Sequence, residues 1–278
     1  MASGVAITIG LNSVDPLHYG GWKGSLKACE ADAHDMSSLA KNQGFEVKSL
    51  LTNDATSANV IREVQTTSEK LESGDIFIIS YAGHGGQLPD KNDDELDGID
   101  ETWCLYDRQL VDDELYALFC DFVEGVRILV FSDSCHSGTV VKAAYYQSEM
   151  DIRVTNTDMN GTGYRFMPLN MVHDTYRINK ALYDQILTKQ ELRNSERNVK
   201  ASVILISGCQ DNQLSADGPS NGLFTSQLLR VWNDGLFQGN YKEFRNEIVK
   251  RMPPKQTPNY FTVGNKNVEF EEQTPFTI

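Results

Sequence analysis

Long hydrophobic runs are absent from this sequence of 278 residues, and their absence excludes several classes of protein. No apolar stretch approaches the roughly 20 residues that a helix needs to cross a bilayer, so we expect no membrane span. No charged and then apolar leader opens the chain, because Val5–Leu11 has the pattern of a first strand. We therefore expect a cytoplasmic protein without a membrane partner.

An excess of basic charge is also absent, since the formal net charge at pH 7 is −14. So acidic a chain repels phosphate groups, which argues against nucleic acid and anionic membranes as partners. Cysteine is scarce, and the five thiols are odd in number, widely separated and never arranged as a CxxC pair. This usage indicates a reducing compartment and argues against a disulfide framework or a zinc site.

What the chain does contain is an alternation of short apolar runs with amphipathic stretches. The predicted strands are Val5–Leu11, Phe45–Leu51, Ile76–Tyr81, Val126–Ser132, Ser202–Ser207 and Asn259–Val263. The predicted helices are Leu26–Asn42, Ser57–Ser73, Asp112–Val123, Asp174–Asn198, Ser220–Trp232 and Tyr241–Met252. The alternation predicts an α/β fold, a mostly parallel sheet of about six strands with helices on both faces. No repeat or linker divides the chain, so we expect residues 1–278 to form one domain.

The regular pattern fades between residues 139 and 201, which we interpret as one long excursion. Its first part, Thr139–His173, is polar, and Asp174–Asn198 is predicted to be a charged helix that faces solvent along much of its length. A second irregular stretch, the acidic loop Asp90–Glu101, precedes a predicted short strand at Thr102–Tyr106. Excursions of this length within one domain are usually functional or disordered.

Two of the predicted strands each end at one reactive side chain among small residues. Asp75–Tyr81 leads to His84 in a glycine-rich turn, and Val126–Phe131 leads to Cys135. Open parallel sheets place their chemistry just beyond the carboxyl ends of the strands. A thiol and an imidazole at that edge are the parts of a thiolate–imidazole pair.

The small residues around this pair predict a place for a developing negative charge. The N–H groups of Gly85 and Cys135 could form an oxyanion hole for a tetrahedral intermediate. The alternative is that Cys135 is a buried structural thiol and His84 a histidine of a loop. His136 lies next to the candidate nucleophile and is a rival base, but adjacent side chains diverge.

Six segments, in a fixed order, carry a resemblance that spans most of the chain. They are LKACEADAHDM (Leu26–Met36), YAGHGGQ (Tyr81–Gln87), DELDGIDET (Asp94–Thr102), LVDDEL (Leu110–Leu115), DSCHSG (Asp133–Gly138) and SGCQDNQLSADG (Ser207–Gly218). Together they resemble the metacaspases and their bacterial relatives, the orthocaspases, in the caspase-like clan. The QACxG pentapeptide of true caspases is absent.

This resemblance implies a role for each matching position. Cys135 would be the nucleophile, and His84 the general base and later the general acid. The pocket for the residue before the scissile bond would be lined by Asp32, Asp133, Cys29 and Ala82. Two carboxylates in one partly buried pocket favour a cation between them, which agrees with the cleavage after Arg or Lys that the family implies.

The alternatives for the pocket residues are ordinary ones. Asp32 could be a solvated charge on a helix, and Asp133 a capping or turn acid. Ala82 is a departure from the family, since many relatives have a serine there. The alanine removes a hydroxyl from the implied pocket but leaves its charges intact.

Calcium is an open alternative to a site without any cofactor. Asp90, Asn92, Asp94 and Glu101 have the spacing of EF-hand ligands, but Glu95 stands where that motif needs glycine. The resemblance implies a different calcium site, at Asp100, Asp112 and Asp113. Lys142 stands near the place of a further acid, and its charge disfavours Ca²⁺. We expect that no cofactor is required.

The predicted function is therefore a cysteine endopeptidase, expected as a monomer, that acts on protein or peptide substrates. The alternatives are a regulatory scaffold with a caspase fold and a non-peptidase Cys–His amide hydrolase. No recruitment domain accompanies the catalytic unit, so we expect any activating signal from a separate partner or a small molecule. Caspase-like enzymes are commonly cut just after the nucleophile, which favours self-cleavage within Lys142–Arg165. The alternative is an ordered lid that is never cut.

Overall fold

The computed structural model of the chain describes residues 2–91, 98–135, 163–192, 195–210 and 213–278. Its strands are β1 (Gly4–Gly10), β2 (Glu46–Leu51), β3 (Ile76–Ala82), β4 (Gly85–Pro89), β5 (Ile99–Cys104), β6 (Gln109–Val111), β7 (Arg127–Asp133), β8 (Ser202–Ser207) and β9 (Asn259–Gly264). Its helices are α1 (Cys29–Asn42), α2 (Ser57–Lys70), α3 (Asp112–Phe119), α4 (Leu169–Ile178), α5 (Lys180–Leu187), α6 (Ser195–Asn198), α7 (Leu223–Trp232), α8 (Tyr241–Val249) and α9 (Val268–Glu272). Within these residues, no helix is long and apolar enough to cross a membrane.

Six of the strands form one sheet in the order β2-β1-β3-β7-β8-β9. All neighbours in it are parallel except β8 and β9, which are antiparallel. The predicted mostly parallel sheet is thus confirmed, and every predicted strand of this sheet ends within one residue of its observed bounds. Because four consecutive strands are parallel, their carboxyl ends lie along the same edge.

The central strands are buried on both faces, which explains why they are apolar along their whole length. On one face, Phe77 and Ile79 of β3 belong to a core that includes Val60 of α2 and Leu115 of α3. On the other face, Ile78 belongs to a second core. That core draws on helices α1, α7 and α8 through Met36, Leu39, Phe224, Leu228, Tyr241 and Phe244. The two helical layers hold the sheet between them.

Local signals define the ends of several helices. The Thr56 hydroxyl accepts a hydrogen bond from the Asn59 N–H at 3.2 Å and caps α2. Asn240 and Glu243 form a reciprocal capping box at the start of α8. Gly44, with a φ of +91°, ends the turn after α1, a conformation that glycine adopts at little cost.

A small antiparallel sheet, in the order β4-β5-β6, lies beside the main one and was not predicted in full. The predicted acidic loop Asp90–Glu101 is wrong at its end, because β5 begins at Ile99 and pairs with β4. Asp100 is accordingly buried rather than solvated. The turn chemistry of a short hairpin is weak in this sequence, and the glycine-rich start of β4 hides its strand character.

The predicted single charged helix at Asp174–Asn198 is also wrong. Helices α4 and α5 are separate, and the break falls at Asn179, whose side-chain amide donates to the carbonyl oxygens of His18 and Thr175. One side of this region is buried, not solvated. Its buried residues are Tyr183, Ile186, Leu187 and Leu192. Residues 136–162, which include His136, Lys142 and Arg153, lie outside the described residues.

Candidate active site

The register of the sheet brings the two predicted reactive residues to one edge. Ala82, the last residue of β3, pairs with Asp133, the last residue of β7. His84 and Cys135 each follow two residues later, and both are buried. The backbones approach so closely here that a Cβ added at Gly85 would lie 1.9 Å from the Cys135 carbonyl oxygen. Only glycine fits at position 85 without a shift of the main chain.

The imidazole of His84 is held in one tautomer by a backbone contact. Nε2 lies 3.0 Å from the carbonyl oxygen of Gly24, which can only accept, so Nε2 carries the proton and Nδ1 is the basic atom. Nδ1 is buried and has no hydrogen-bond partner among the described residues. Burial lowers the pKa of His84 to about 3, against the opposing effect of the Gly24 carbonyl. The ring is therefore neutral at pH 7. The indole of Trp22 packs against it, and the centres of the two rings lie 4.7 Å apart.

The thiol of Cys135 has neighbours other than the imidazole. Its Sγ accepts a hydrogen bond from the Ser215 N–H and lies 3.5 Å from the Ser215 carbonyl oxygen. Cys209 lies beside it, and the hydrogen bond with Cys135 is the main reason that the pKa of the Cys209 thiol is raised. Since His84 Nδ1 has no partner among the described residues, the two predicted catalytic groups are not hydrogen-bonded to each other in this arrangement.

The two predicted oxyanion-hole donors converge on one atom. The N–H groups of Gly85 and Cys135 both donate to the carbonyl oxygen of Arg165, each at 3.0 Å. Two N–H groups on one oxygen form the geometry that would stabilise a negative charge on that oxygen. The oxygen belongs to this chain's own residue, in the stretch that leads into α4.

The side chain of Arg165 occupies a pocket of three carboxylates, which we call the acidic pocket: Asp32, Asp133 and Asp217. One Nη lies 2.5 Å from Asp32 and 3.0 Å from Asp217, and the other lies 2.9 Å from Asp133. The guanidinium is fully buried, and the three acids are nearly so. Three carboxylates around one cation leave a net negative charge in a dry site, so an empty acidic pocket would attract a cation strongly.

Further donors orient the acids. The hydroxyls of Ser215 and Thr225 donate to Asp133 at 2.6 and 2.9 Å. The Gly222 N–H donates to Asp32 at 3.0 Å, and a Cβ added at Gly222 would lie 2.6 Å from the Arg165 guanidinium carbon. Glycine at 222 therefore leaves space for the planar guanidinium to lie against the main chain.

The electrostatics of the acidic pocket are dominated by burial. Desolvation raises the pKa of Asp32 to about 6, although Arg165 opposes the shift. Burial is the largest influence on the pKa of Arg165 and lowers it, but the surrounding negative groups, Asp133 first, raise it further, so the guanidinium stays charged. Both charges exist at neutral pH, and the contact weakens when Asp32 is protonated.

The other two predicted pocket residues lie beside the acids. Cys29 and Ala82 pack together with Leu26, and burial raises the pKa of the Cys29 thiol, against the effect of Arg165. Nε of Arg165 is buried without a partner among the described residues.

The residues predicted for calcium lie elsewhere. Asp100 is on β5, and Asp112 and Asp113 begin α3. Among the described residues, no group of three or more His, Cys, Asp or Glu side chains is arranged to hold a metal ion. Part of the acidic loop, residues 92–97, lies outside the described residues, so the calcium alternative stays a prediction, and no step below uses a metal.

Sequence reasoning missed one of the three acids of the acidic pocket, Asp217, and the serine that donates to Asp133, Ser215. Asp217 and Ser215 lie in the segment after β8 that carried part of the resemblance, but no role was assigned to them. The signal was an acid beyond a strand of the same parallel sheet, which the β7–β8 pairing brings to this edge. The position of Arg165 was not predictable, because it depends on how the excursion folds back.

Comparison with known proteins identifies the family of this chain. A sequence-family model described as the caspase domain (Peptidase_C14) matches residues 3–269. The chain belongs to the caspase-domain family. This match confirms the predicted family, which consists of cysteine-type peptidases.

Similar proteins extend over most of the chain. Metacaspase-1 of Kluyveromyces lactis is 30% identical over 249 residues, which cover 80% of this chain and 56% of that protein. Metacaspase-1 of Mycosarcoma maydis is 29% identical over 271 residues, which cover 87% of this chain and 65% of that protein. This chain thus spans under two thirds of the length of these relatives.

Two solved structures are similar to this caspase-domain chain. Protein GSU0716 of Geobacter sulfurreducens has 55% sequence identity and a TM-score of 0.87, with 99% of this chain and 98% of that one covered. Caspase-1 of Spodoptera frugiperda has 12% identity and a TM-score of 0.53, with 95% and 86% covered, and this likeness concerns the fold alone.

The acidic pocket generates a test of Asp217. A guanidinium presents two nitrogens to three acids, whereas the ammonium of lysine ends one atom earlier with a single nitrogen. If a substrate cation occupies the acidic pocket, Asp217→Asn should lower the ratio of kcat/KM for arginine peptides to that for lysine peptides about tenfold. The fraction of enzyme from whose acidic pocket Arg165 has moved away affects both kcat/KM values equally, so it cancels in their ratio. Asp174→Asn, at an exposed acid, is the matched control, and an unchanged ratio in Asp217→Asn would show that Asp217 does not select arginine over lysine.

Proposed function

We propose that this chain is a cysteine endopeptidase that hydrolyses the peptide bond after an arginine or lysine of a protein or peptide substrate. One observation carries the proposal: a buried arginine has its guanidinium on three carboxylates and its own carbonyl oxygen on two N–H groups. The acidic pocket selects the side chain, and the paired donors select the adjacent carbonyl. The residue whose side chain fills the acidic pocket is thus the residue whose carbonyl group contacts the two N–H donors.

The charge of the acidic pocket supports basic over acidic substrates. An aspartate placed among Asp32, Asp133 and Asp217 would be a fourth carboxylate in a dry site, at a cost of several kcal/mol. An apolar side chain would leave three acids without a cation. Arginine satisfies the acids with two Nη groups, and lysine satisfies them in part.

The first half of the proposed reaction forms a thioester. Neutral His84, with Nδ1 as its basic atom, takes the proton of the Cys135 thiol, and Sγ attacks the carbonyl carbon of the basic residue. The oxyanion that develops is stabilised by the N–H groups of Gly85 and Cys135. Since Sγ contacts Ser215 in the present arrangement, the thiol must first turn about its Cα–Cβ bond toward the imidazole.

The second half returns the enzyme to its starting state. The imidazolium of His84 gives its proton to the leaving amine as the C–N bond breaks. Water then attacks the thioester, with His84 as the base and the same two N–H groups on the oxyanion. The Sγ–C bond breaks, the acyl group leaves as a carboxylic acid, and His84 returns the proton to Sγ. The Gly24 carbonyl stabilises the imidazolium through its contact with Nε2 in both halves.

The test is a panel of fluorogenic peptides that have Arg, Lys or Asp before the bond. We expect hydrolysis of the arginine peptide first, the lysine peptide second and no hydrolysis of the aspartate peptide. Cys135→Ala and His84→Ala should each lower kcat/KM about a thousandfold or more, while a cooperative thermal transition shows that each variant is folded. Cys120→Ala is the control for thiol loss elsewhere.

Other results would contradict this assignment in different ways. Near-normal turnover by Cys135→Ala would disprove the catalytic role of the thiol. No hydrolysis of any peptide would favour a regulatory scaffold, and hydrolysis of simple amides alone would favour a non-peptidase amide hydrolase.

The pKa shifts predict a pH dependence. Protonation of Asp32 removes one of the charges that attract the substrate cation, so kcat/KM for arginine peptides should fall as pH decreases through the raised pKa of Asp32, which is about 6 while Arg165 occupies the pocket. His84 titrates at about 3 and stays a neutral base over this range. The pH profile of Asp32→Asn should therefore lack the limb near pH 6. If the limb persists in Asp32→Asn, another group is responsible.

A further inference from the structure

The loop between β1 and α1 covers the edge of the His84 imidazole that lies opposite the basic Nδ1. The carbonyl oxygen of Gly24 lies 3.0 Å from Nε2, and a Cβ added at Gly24 would lie 3.0 Å from Cδ2. Nε2 and Cδ2 are neighbours in the ring, and Nδ1 is on the other side of it. The loop therefore contacts the back of the ring and leaves Nδ1 facing away from Gly24.

Trp22 belongs to the same loop and packs against the imidazole. Its indole is half-buried, and the plane of the indole is tilted by 51° from that of the His84 ring. A Cβ added at Gly24, where φ is +50°, would lie 3.1 Å from the indole. Glycine leaves space for the two rings to meet, and it adopts this left-handed conformation at little cost.

Hydrogen bonds fix the backbone on both sides of the indole. Tyr19 is fully buried, and its hydroxyl donates to the Leu105 carbonyl at 2.7 Å. The Trp22 N–H donates to the Tyr19 carbonyl at 3.0 Å. The Val14 N–H donates to the Lys23 carbonyl, also at 3.0 Å, and closes the loop. These bonds restrict where the indole can lie.

The main chain of His84 is fixed independently of its ring. The Tyr81 hydroxyl and the Cys104 N–H both donate to the His84 carbonyl oxygen, at 2.7 and 2.9 Å. Among the described residues, the ring itself makes a single hydrogen bond, through Nε2. One hydrogen bond fixes one point of a ring but not its plane. The contact with Trp22 supplies the second constraint.

We propose that Trp22 is a positioning residue for His84, whose indole fixes the plane of the imidazole and shields the Nε2–Gly24 contact from water. The inference rests on the proposed function, because His84 is the base of that reaction. Proton transfer depends on direction, so a ring that tilts away from the Cys135 thiol accepts its proton less often. Trp22 acts through the imidazole and neither gives nor takes a proton.

The surroundings of the imidazole support the shielding role. His84 is 2% exposed, and burial is the largest influence on its pKa, which the charge of Arg165 also lowers. Trp22 is half-buried, so its indole lies between this buried ring and solvent. During the reaction the ring becomes an imidazolium, and an aromatic face attracts a cation. The same side chain thus excludes water and offsets part of the cost of that charge.

The kinetics of arginine-peptide hydrolysis give the first test. Trp22→Ala should lower kcat about tenfold or more, because the imidazole loses its fixed plane, and should leave KM within about twofold, because the acidic pocket is unchanged. Trp22→Phe keeps an aromatic face and should retain most of kcat. Phe237→Ala, the matched control, removes another half-buried aromatic side chain, at the second core, and should leave kcat unchanged.

¹⁵N NMR of the histidine side chains gives a test that needs no activity. It compares Cys135→Ala with Cys135→Ala/Trp22→Ala at pH 7, and His84→Ala assigns the signals of His84. In Cys135→Ala, we expect the Nε2–H tautomer with a proton that exchanges slowly with water. In the double variant, this exchange should be about tenfold faster or more, and the shifts should move toward a mixture of both tautomers. A residue that acts only on stability would move neither.

Two further variants separate positioning from folding. If Trp22→Ala lacks a cooperative thermal transition, Trp22→Phe and Trp22→Leu replace it, since both retain apolar bulk. We expect kcat to fall from the wild type to Trp22→Phe to Trp22→Leu, and the exchange rate of the Nε2 proton to rise in the same order. Folded variants in which kcat and the exchange rate do not change together would overturn the inference.

Failure of this inference differs from failure of the proposed function. If the wild type hydrolyses arginine peptides and folded Trp22→Ala does so with the same kcat, the peptidase stands and the positioning role is disproved. If the wild type hydrolyses no peptide, the proposed function falls, and the NMR comparison decides the role of Trp22 alone. Unchanged exchange of the Nε2 proton would then overturn that role, and faster exchange would support it.

Discussion

A guanidinium buried among three carboxylates is the contact on which the geometry of this site depends. Asp32 comes from α1, Asp133 from the end of β7 and Asp217 from the segment after β8, so one cation joins three separate parts of the fold. Desolvating four charges is costly, and only close, hydrogen-bonded geometry offsets the cost. The backbone on both sides of Arg165 is also hydrogen-bonded. Together, the guanidinium contact and this backbone pairing fix where the Arg165 carbonyl lies.

The parallel sheet is what makes this convergence possible. Adjacent strands β3, β7 and β8 end at one edge, so residues far apart in sequence deliver an imidazole, a thiol and two acids to one place. Glycines allow the close approach. Gly85 has no side chain to clash with the Cys135 carbonyl, and Gly222 has none to clash with the Arg165 guanidinium. A single methyl group at either position would force the backbone or the arginine to move.

Much of this architecture was predictable from the sequence, since apolar strands buried on both faces have a strong pattern. The strand-end positions of His84 and Cys135 followed from the same pattern, and the resemblance implied Asp32 and Asp133. The hairpin β4–β5 was missed because its glycine-rich start lacks strand propensity. The charged segment after Asp174 was misread because its buried residues, such as Tyr183 and Leu187, are spaced across a helix break at Asn179. No local pattern could place Arg165, because that depends on tertiary contacts.

The most direct test of the account is the binding of benzamidine, a small mimic of the arginine cation, to protein whose candidate nucleophile has been removed. In Cys135→Ala, the acidic pocket is filled by Arg165, so calorimetry should detect little or no binding. In the double variant Cys135→Ala/Arg165→Gln, the pocket is open, and benzamidine should bind at least tenfold more tightly than in Cys135→Ala. Equal affinity in the two proteins, or no binding to either, would contradict the account.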